Sequence, residues 1–299
     1  MIEPTPPTMH WGAEALWQQL VPLLPGLSVE VVHTARSTNT TLLERARAVP
    51  DTSPGGLDAI VRPSVESGAF GRRAVDLQPC LLVAEHQSAG RGRQGRTWHS
   101  VPGASLTFSL ALPLAMADWS GLSLAIGVAI ADALDNAPGR APRIGLKWPN
   151  DLWLLGEPSV TRKLGGILIE TVAAGAQRLA VIGIGLNVQR FDPAEINTGF
   201  APLHEIDTTA TAPAVLACIA LPLVRALKQF EREGFAPFAE RFAARDVLVG
   251  RSVTTTLPEV PQGTARGVSA SGALLVQTDA GIVSVASGEV SVRLSRPAA

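Results

Sequence analysis

The feature that most constrains the fold is a series of short apolar runs between residues 81 and 187, separated by polar turns. The continuous run Leu81–Ala84 predicts a buried strand, and the alternation over Ser105–Leu112 predicts a half-buried one. Residues 122–134 repeat apolar side chains at helical spacing. Further strand patterns lie at Ile144–Trp148, Leu152–Leu155, Leu164–Glu170 and Leu179–Ile184. This stretch therefore combines several strands with at least one helix.

The residues before this stretch predict two helices, a strand and a long loop. A helix is predicted over Gly12–Leu24 and a strand over Ser28–His33. Residues 37–40, Ser-Thr-Asn-Thr, precede a helical pattern that reaches Ala46, as short polar side chains do at a helix N-terminus. Residues 50–79 are rich in Pro, Gly, Ser and Asp and have no periodicity, which predicts a surface loop or insertion. The sequence leaves open whether that loop is functional or disordered.

The last third of the chain changes character. Residues 213–233 and 235–245 have helical patterns, and from Val247 short β-type segments alternate with glycines. This predicts a small all-β module of about 50 residues. We place the boundary near residue 246, so that residues 1–245 form the main domain and residues 246–299 the small one. A length of 299 residues agrees with one or two domains.

Composition excludes some classes of protein. Lys+Arg number 25 and Asp+Glu 26, a net charge of −1, which argues against a nucleic-acid-binding protein with a broad basic face. Cys80 and Cys218 are far apart in apolar surroundings, so we expect buried, free thiols in a reducing cytosol. The first residues lack the pattern of a signal peptide, and no run approaches the length of a membrane span. We expect a soluble, cytoplasmic protein that binds no membrane.

Residues 90–96 carry the strongest chemical signal. Their sequence, Gly-Arg-Gly-Arg-Gln-Gly-Arg, follows the strand that ends near His86. Glycines let backbone N–H groups approach a ligand, and arginines bind anions. The pattern is neither a Walker A loop nor a dinucleotide-binding fingerprint. It predicts a loop for a polyanion such as a nucleotide phosphate or acyl phosphate, or alternatively a flexible basic surface loop.

Residues 147–151, Lys-Trp-Pro-Asn-Asp, form a second cluster at the end of a strand. Of the 25 basic residues only three are lysines, and Lys147 and Lys163 are two of them. A retained lysine points to a site where arginine cannot replace it. Pro149 fixes a turn, and the amide and carboxylate that follow it suit a Mg²⁺–phosphate site. The alternative is an ordinary β-turn with a solvated aspartate.

Glycines mark two further strand ends. Gly165 and Gly166 open the strand that runs to Glu170, which weakens a strand unless a ligand or another backbone comes close. A bulge or tight packing would explain them equally well. Gly183 and Gly185 lie just before a polar side chain, that of Asn187, at the end of another strand.

Taken in order and spacing, these motifs resemble those of biotin protein ligases. The resemblance is carried by Ser37-Thr38-Asn39, Gln87, GRGRQGRTW (90–98), KWPND (147–151), KLGGIL (163–168), GIGLN (183–187), GALLV (272–276) and GEVSVR (288–293). It covers residues 13–49 and 80–296. It implies an α+β fold with a central mixed β-sheet flanked by helices, followed by a small C-terminal all-β barrel of the Src-homology-3-like type.

The resemblance also implies an activity. Family members activate biotin with Mg-ATP to biotinyl-5′-adenylate, release pyrophosphate, and transfer biotin to a lysine of the biotin carboxyl carrier protein of acetyl-CoA carboxylase or a related carboxylase. The implied biotin contacts are Ser37, Thr38, Asn39, Gln87, Arg91, Gly92, Arg93 and Lys147. The implied ATP contacts are Arg96, Trp98, Asn150, Asp151, Lys163, Asn187 and Arg293, with Asp151 as a metal contact. The implied catalytic cations are Lys147, Arg93, Arg96 and Lys163, with Mg²⁺ as cofactor.

The sequence departs from the family pattern at two places, and two other functions are alternatives. Only one short helix and a strand precede Ser37, which leaves no room for the winged helix-turn-helix of bifunctional members, so we expect no repressor activity. The 50–79 stretch is longer than the family normally has. A lipoate-protein ligase and a non-catalytic biotin or nucleotide sensor are alternatives; the Gly-Arg loop and C-terminal barrel favour biotin, and Lys147 and Lys163 favour catalysis. A monomer and a homodimer both fit.

Overall fold

The computed structural model describes residues 9–47, 77–116, 118–136, 139–156, 161–174, 177–191, 199–258, 260–286 and 293–294. Most of the predicted loop, residues 50–76, lies outside these ranges, and for Arg293 only the backbone is described. The helices are α1 (Ala13–Leu20), α2 (Thr38–Arg47), α3 (Leu122–Leu134), α4 (Ala212–Glu233) and α5 (Ala239–Ala243). The strands are β1 (Ser28–Ala35), β2 (Cys80–Gln87), β3 (Gly90–Arg91), β4 (Thr97–Trp98), β5 (Ser105–Pro113), β6 (Ile144–Lys147), β7 (Asp151–Leu155), β8 (Thr161–Ala174), β9 (Gln177–Asn187), β10 (Ser252–Thr254), β11 (Gln262–Val268), β12 (Leu274–Thr278), β13 (Gly281–Val285) and β14 (Arg293–Leu294).

Seven strands form one mixed sheet in the order β1-β2-β5-β9-β8-β7-β6. β1 and β2 are parallel, whereas β2 with β5, β5 with β9, β6 with β7 and β7 with β8 are antiparallel. This confirms the α+β class with a central mixed sheet. Strands β10 to β14 form a five-stranded antiparallel sheet in the order β13-β12-β11-β10-β14, which confirms the C-terminal all-β module.

The chain divides into two compact units. Unit 1 comprises residues 1–114, 168–195 and 202–221, and unit 2 comprises residues 115–167, 196–201 and 222–299. In unit 1, the apolar face of α2 packs against the sheet. Its buried residues are Leu42, Leu43 and Ala46, in one cluster with Cys80, Leu82, Ala111, Leu179 and Val181. This packing fixes the position of the first turn of α2.

Strand β5 differs from its prediction. The alternation suggested one buried face, but every residue from Ser105 to Leu112 is buried. Leu106, Phe108 and the other apolar residues form one face, and the polar residues between them are covered as well. The reason is that α2 packs against β5, so that Ser109 lies within hydrogen-bonding distance of the first turn of the helix. The polar face of β5 therefore belongs to the interior.

In unit 2, the β6–β7 hairpin is held by buried contacts. Trp148, which is 1% exposed, donates its indole N–H to the carbonyl oxygen of Gly272 in the turn between β11 and β12 (3.0 Å). The hydroxyl of Ser123 on α3 donates to the carbonyl oxygen of Pro149 (2.7 Å). The turn of the hairpin is thus tied both to α3 and to the all-β module.

Helix α4 is the one described helix that is long and apolar enough to cross a membrane by length and composition, and half of that window is buried inside the protein. Its buried side chains recur every three or four residues, as in a core helix, and include Leu216, Ile219 and Leu223. Cys218 lies between these positions and is exposed, so the expectation that it is buried was wrong. Cys80 is buried as expected, and neither cysteine is in a disulfide.

Asp246 gives a prediction about stability and pH. Burial raises the pKa of its carboxyl above the ordinary 3.8, against the backbone N–H groups of Leu248 and Val249, which lower it. Its Oδ2 is buried without a hydrogen-bond partner among the described residues. Ionisation of Asp246 therefore lowers the free energy of unfolding as the pH rises from 3.8 through the raised pKa, and it has no effect below pH 3.8. We expect Asp246→Asn to increase the free energy of unfolding at neutral pH, and this gain to vanish as the pH falls through that window.

Urea unfolding as a function of pH measures this effect, and Asp118→Asn is the control of opposite sign. Hydrogen bonds from the side chain and backbone of Ser120 lower the pKa of Asp118. The ionised carboxylate of Asp118 stabilises the fold at neutral pH, and this contribution is lost as the pH falls through the lowered pKa. Asp118→Asn should therefore reduce the free energy of unfolding at neutral pH. A neutral-pH loss of stability in Asp246→Asn would contradict the assignment.

Candidate functional site

The first turn of α2 holds three polar side chains away from solvent. Ser37 and Thr38 are each 3% exposed and Asn39 is 2% exposed. Ser37 caps the helix, because its carbonyl oxygen accepts the N–H of Thr41 at 2.9 Å and its Oγ lies 3.5 Å from the N–H of Thr40. Buried polar groups are costly unless they are hydrogen-bonded, so the partners of these side chains define the site.

Gln87 of β2 and Ser109 of β5 complete what we call the α2 polar cluster: Ser37, Thr38, Asn39, Gln87 and Ser109. The Oε1 of Gln87 accepts the backbone N–H of Thr38 at 2.7 Å. The Oγ of Ser109 lies 2.6 Å from both the Thr38 hydroxyl and the Asn39 Oδ1. A hydroxyl carries one hydrogen, so both contacts are satisfied when Thr38 donates to Ser109 and Ser109 to Asn39. The sequence motifs did not identify Ser109; the polar face of β5 was its only signal.

The amide of Asn39 is fixed in one orientation. Its Nδ2 donates to the carbonyl oxygen of Leu168 at 3.2 Å and to the Oε2 of Glu170 at 3.0 Å. Both amide hydrogens are thus used, which leaves Oδ1 directed at Ser109. A Cβ on Gly183 would lie 2.3 Å from that Oδ1. The glycine predicted at this strand end is required by the close approach of Asn39.

Residues 90–98 form a small hairpin, the glycine-arginine hairpin, in which β3 pairs with β4. The N–H of Gly92 donates to the carbonyl oxygen of Arg96 at 2.7 Å, and the turn uses left-handed backbone at Gln94 (φ 55°) and Gly95 (φ 71°). Arg93 is partly buried and Arg96 is exposed. These residues therefore form a hydrogen-bonded turn with a defined backbone conformation.

Trp98 connects the hairpin to β9. A Cβ on Gly185 would lie 2.4 Å from the indole ring, so this glycine lets the ring pack directly on the strand. The indole N–H is buried and has no hydrogen-bond partner within the described ranges. Asn187, two residues beyond Gly185, is 5% exposed and pairs with Ser105 across the sheet. The ring of Trp98 thus packs on β9 two residues before Asn187, and both residues are implied ATP contacts.

Arg91 lies at the base of the hairpin and already has protein partners. Its guanidinium donates to the Oε1 of Glu170 at 2.9 Å and to the hydroxyl of Thr40 at 3.2 Å. The Arg91 side chain is 45% exposed and that of Glu170 is 23% exposed. Of the implied biotin contacts, the structure therefore brings Ser37, Thr38, Asn39, Gln87 and Arg91 together in unit 1.

In unit 2, β7 provides a partner for each of two lysines. The Nζ of Lys147 lies 4.8 Å from the ring centroid of Trp153, a cation–π contact. The Nζ of Lys163 lies 2.7 Å from the Oδ1 of Asp151. Trp153 pairs with Lys163 across the sheet and Asp151 pairs with Lys147, so each lysine contacts the residue diagonal to it. Between these pairs the register of β7 with β8 shifts, since Leu152 pairs with Gly165 and Trp153 with Lys163.

Asn150 has a structural bond as well as an implied role. Its side-chain Nδ2 donates to the carbonyl oxygen of Ile167 at 2.7 Å. Its backbone carbonyl oxygen accepts the N–H of Ile167 at 3.0 Å. These bonds fix the turn of the β6–β7 hairpin against β8. A Cβ on Gly166 would meet Lys163 and Asp151 at 3.4–3.5 Å, so this glycine leaves space beside the ion pair.

The described residues contain no group of three or more His, Cys, Asp or Glu that could enclose a metal ion. Asp151 is the one carboxylate of the residue 147–151 cluster and is 20% exposed. Mg²⁺ in nucleotide sites usually takes one or two carboxylates together with substrate phosphates. The donor set therefore fits a Mg²⁺ ion that arrives with ATP, not a resident metal held by protein alone.

Arg293, the last of the implied ATP contacts, lies on β14 and pairs with Thr254 of β10.

Two family models match the chain. Residues 77–187 match the model described as "Biotin/lipoate A/B protein ligase family", and residues 248–293 match "Biotin protein ligase C terminal domain". The first range contains the glycine-arginine hairpin and the β6–β7 turn. The second range lies in the all-β module.

The chain is also similar to curated and solved proteins. It is 38% identical over 217 residues to the bifunctional ligase/repressor BirA of Salmonella typhimurium, covering 71% of this chain and 66% of that protein, just under two thirds of its length. It is 31% identical to the biotin–[acetyl-CoA-carboxylase] ligase of Mycobacterium tuberculosis, covering 93% of this chain and 91% of that one. The structure of a biotin protein ligase from Aquifex aeolicus in complex with biotin and ATP superposes with a TM-score of 0.66, at 28% identity, covering 89% of this chain and 99% of that one.

Proposed function

Because the chain belongs to the biotin protein ligase family, we propose that it activates biotin with Mg-ATP and transfers it to a lysine of a biotin carboxyl carrier protein. The observation that carries the proposal is the α2 polar cluster, a set of buried, neutral hydrogen-bonding groups. Relatives described as ligases for acetyl-CoA carboxylase support the choice of acceptor. Neither Cys80 nor Cys218 is in a disulfide, which fits a reducing compartment, and we propose that the protein acts in the cytoplasm.

The α2 polar cluster suits the head group of biotin. The ureido ring of biotin is neutral and has one carbonyl oxygen and two N–H groups, so it needs both donors and acceptors. Ser37, Thr38, Asn39 and Gln87 provide both kinds of group in a buried setting. The head group of lipoate has no N–H or carbonyl and would leave such groups unmatched, which disfavours that substrate. Arg91 and Gly92 of the glycine-arginine hairpin are the further biotin contacts in this proposal.

The first step joins two anions and therefore needs positive charge. A carboxylate oxygen of biotin attacks the α-phosphorus of ATP, and the bond to pyrophosphate breaks, with pyrophosphate leaving with the electron pair. We assign the compensating charge to Lys147, Arg93, Arg96 and Lys163, as electrostatic stabilisation of the transition state. Mg²⁺, when bound with ATP, would supply further positive charge. Asp151 would contact that Mg²⁺. Trp98, Asn150, Asn187 and Arg293 complete the nucleotide contacts in this proposal.

In the second step, the ε-amine of the acceptor lysine attacks the carbonyl carbon of the mixed anhydride. The carbonyl–oxygen bond to phosphate breaks, AMP leaves, and the amine nitrogen loses a proton to give the amide. An acyl-adenylate hydrolyses in water, so the enzyme must shield it until the acceptor binds. We assign this shielding to the glycine-arginine hairpin.

Incorporation of labelled biotin into an apo biotin carboxyl carrier domain, with Mg-ATP, tests the proposed function. We expect label on the acceptor lysine and none on a variant acceptor that lacks it. Tight biotin binding without any labelling would favour the sensor hypothesis. Absence of biotin binding, combined with labelling by lipoate, would favour the lipoate ligase hypothesis.

The hairpin assignment predicts a specific defect for Arg93→Gly. Removing the partly buried arginine should slow adenylate formation only modestly, because Lys147, Arg96 and Lys163 keep most of the compensating charge. It should also let the intermediate escape, because the hairpin then closes less firmly over it. Chromatography of the solution after a single turnover measures how much biotinyl-adenylate the enzyme has released. Retention of the intermediate as tight as in the wild type would contradict the role of Arg93.

A further inference from the structure

Glu170 has no role in the proposed reaction, yet its carboxylate joins two parts of unit 1. It lies on β8 with 23% of its side chain exposed. Its Oε2 accepts from the Nδ2 of Asn39 at 3.0 Å, and its Oε1 accepts from the guanidinium of Arg91 at 2.9 Å. One oxygen therefore contacts the α2 polar cluster and the other contacts the glycine-arginine hairpin.

The two bonds have different consequences. The bond to Asn39 helps to fix the amide orientation, since the other amide hydrogen goes to the carbonyl oxygen of Leu168. The bond to Arg91 fixes the base of the hairpin, together with the contact from Arg91 to the Thr40 hydroxyl at 3.2 Å. Movement of the hairpin away from α2 has to break the ion pair with Glu170.

We propose that Glu170 is a positioning residue that couples the biotin-binding cluster to the hairpin. The same carboxylate orients the Asn39 amide and holds Arg91, so the hairpin is retained at the site where biotin binds. This inference rests on the proposed function, because it assigns the hairpin to retention of biotinyl-adenylate.

The geometry lets the two bonds be separated by substitution. Glutamine keeps one acceptor oxygen and presents an NH₂ group in place of the other. Asn39 is 2% exposed and cannot turn its N–H to water, whereas the Arg91 side chain is 45% exposed and can, so the oxygen should go to Asn39. The guanidinium of Arg91 has only donors and cannot bond to that group. Glu170→Gln therefore removes the hairpin contact alone, whereas Glu170→Ala removes both contacts.

We expect Glu170→Gln to bind biotin with wild-type affinity and to release biotinyl-adenylate about two- to fivefold faster, the effect of losing an exposed ion pair. Glu170→Ala should show the same faster release and, in addition, a biotin affinity lowered by about tenfold. Because salt screens an exposed pair, wild-type release should accelerate with ionic strength toward the Glu170→Gln rate, and the variant should change less. A merely structural role would not produce this difference in salt dependence.

Glu231→Gln is a matched control. Glu231 is 21% exposed and also divides its carboxylate between an N–H, that of Ala115 at 2.9 Å, and a cation, the Nζ of Lys228 at 3.3 Å. We expect wild-type biotin affinity and adenylate release from this variant. Hydrogen exchange of the Gly92 amide, measured without ATP, gives a readout independent of catalysis and should be faster in Glu170→Gln than in the wild type or the control.

The outcomes separate this inference from the proposed function. A wild-type protein that forms no adenylate contradicts the proposed function, and the hydrogen-exchange comparison then decides on the coupling by itself. A wild-type protein that forms and holds adenylate, with Glu170→Gln identical to it in release and in exchange, overturns the coupling alone. An equal loss of biotin affinity in Glu170→Gln and Glu170→Ala also overturns it, because the two contacts would then be inseparable.

Discussion

Replacing Lys147 with alanine is expected to slow biotinyl-adenylate formation by roughly 10²- to 10³-fold, the usual result of removing one preorganised group that stabilises transition-state charge. The carboxylate of biotin and the α-phosphate repel each other, and the family resemblance assigns Lys147 to both. Its ammonium is held at a partly buried position, 4.8 Å from the ring centroid of Trp153. The surrounding turn should persist in the variant, because it is fixed by the bonds from Trp148 to Gly272 and from Asn150 to Ile167.

Pyrophosphate release in a single turnover measures this step, and two further variants sharpen the test. Lys228→Ala removes another lysine, paired with Glu231 on α4, and should form adenylate at the wild-type rate. Lys147→Arg keeps the charge but spreads it over a planar group, so it should restore only a small part of the rate. Wild-type adenylate formation by Lys147→Ala would refute the assignment. A defect of equal size in Lys228→Ala would show that the loss is not specific to this site.

Local patterns were sufficient for most of the fold. The polar residues before α2 predicted its start, because capping depends on side chains within one helical turn. The strands and α3 followed from periodicity, which reflects burial on one or both faces. Strand β5 was misjudged because alternation indicates only that two faces differ, and a polar face can be buried when hydrogen-bonding partners cover it. Ser109, on that face, was missed for the same reason.

The contacts that shape the site could not be predicted from local patterns. Glu170 and Asn39 are 131 residues apart in sequence, and no spacing rule brings them together. Lys163 and Asp151 were interpreted separately, as a phosphate contact and a metal contact, whereas in the structure they form an ion pair. The register of β7 with β8 shifts beside Gly165, where the glycine pair had left a bulge open as one explanation, but the glycines do not show which side chains then meet. Motif resemblance identified positions, and only the fold identified their partners.

Gly183→Ala is expected to damage stability and biotin binding together. The added Cβ would lie 2.3 Å from the Oδ1 of Asn39, closer than any van der Waals contact allows, and overpacking of this kind costs about 1–3 kcal/mol. Relief requires Asn39 to move, which breaks its contact with Ser109 and the orientation set by Glu170. A factor of ten in affinity corresponds to about 1.4 kcal/mol, so loss of one oriented amide bond should weaken biotin binding by up to about tenfold. Thermal unfolding and calorimetric titration with biotin measure the two effects.

A double variant distinguishes steric strain from general damage to β9. In an Asn39→Ala background the atoms that the new Cβ would strike are absent, so Gly183→Ala should cost little further stability, and the two substitutions should be strongly non-additive. Biotin affinity should stay low in the double variant, because the amide to which we assign biotin binding is gone. Gly139→Ala is the control for a loss of stability without a clash: nothing lies within 4 Å of the added Cβ, but the left-handed backbone (φ 76°) strains an alanine. It should lower stability and leave biotin affinity unchanged. Additive losses in the double variant would mean that Gly183 is needed for a reason other than its approach to Asn39.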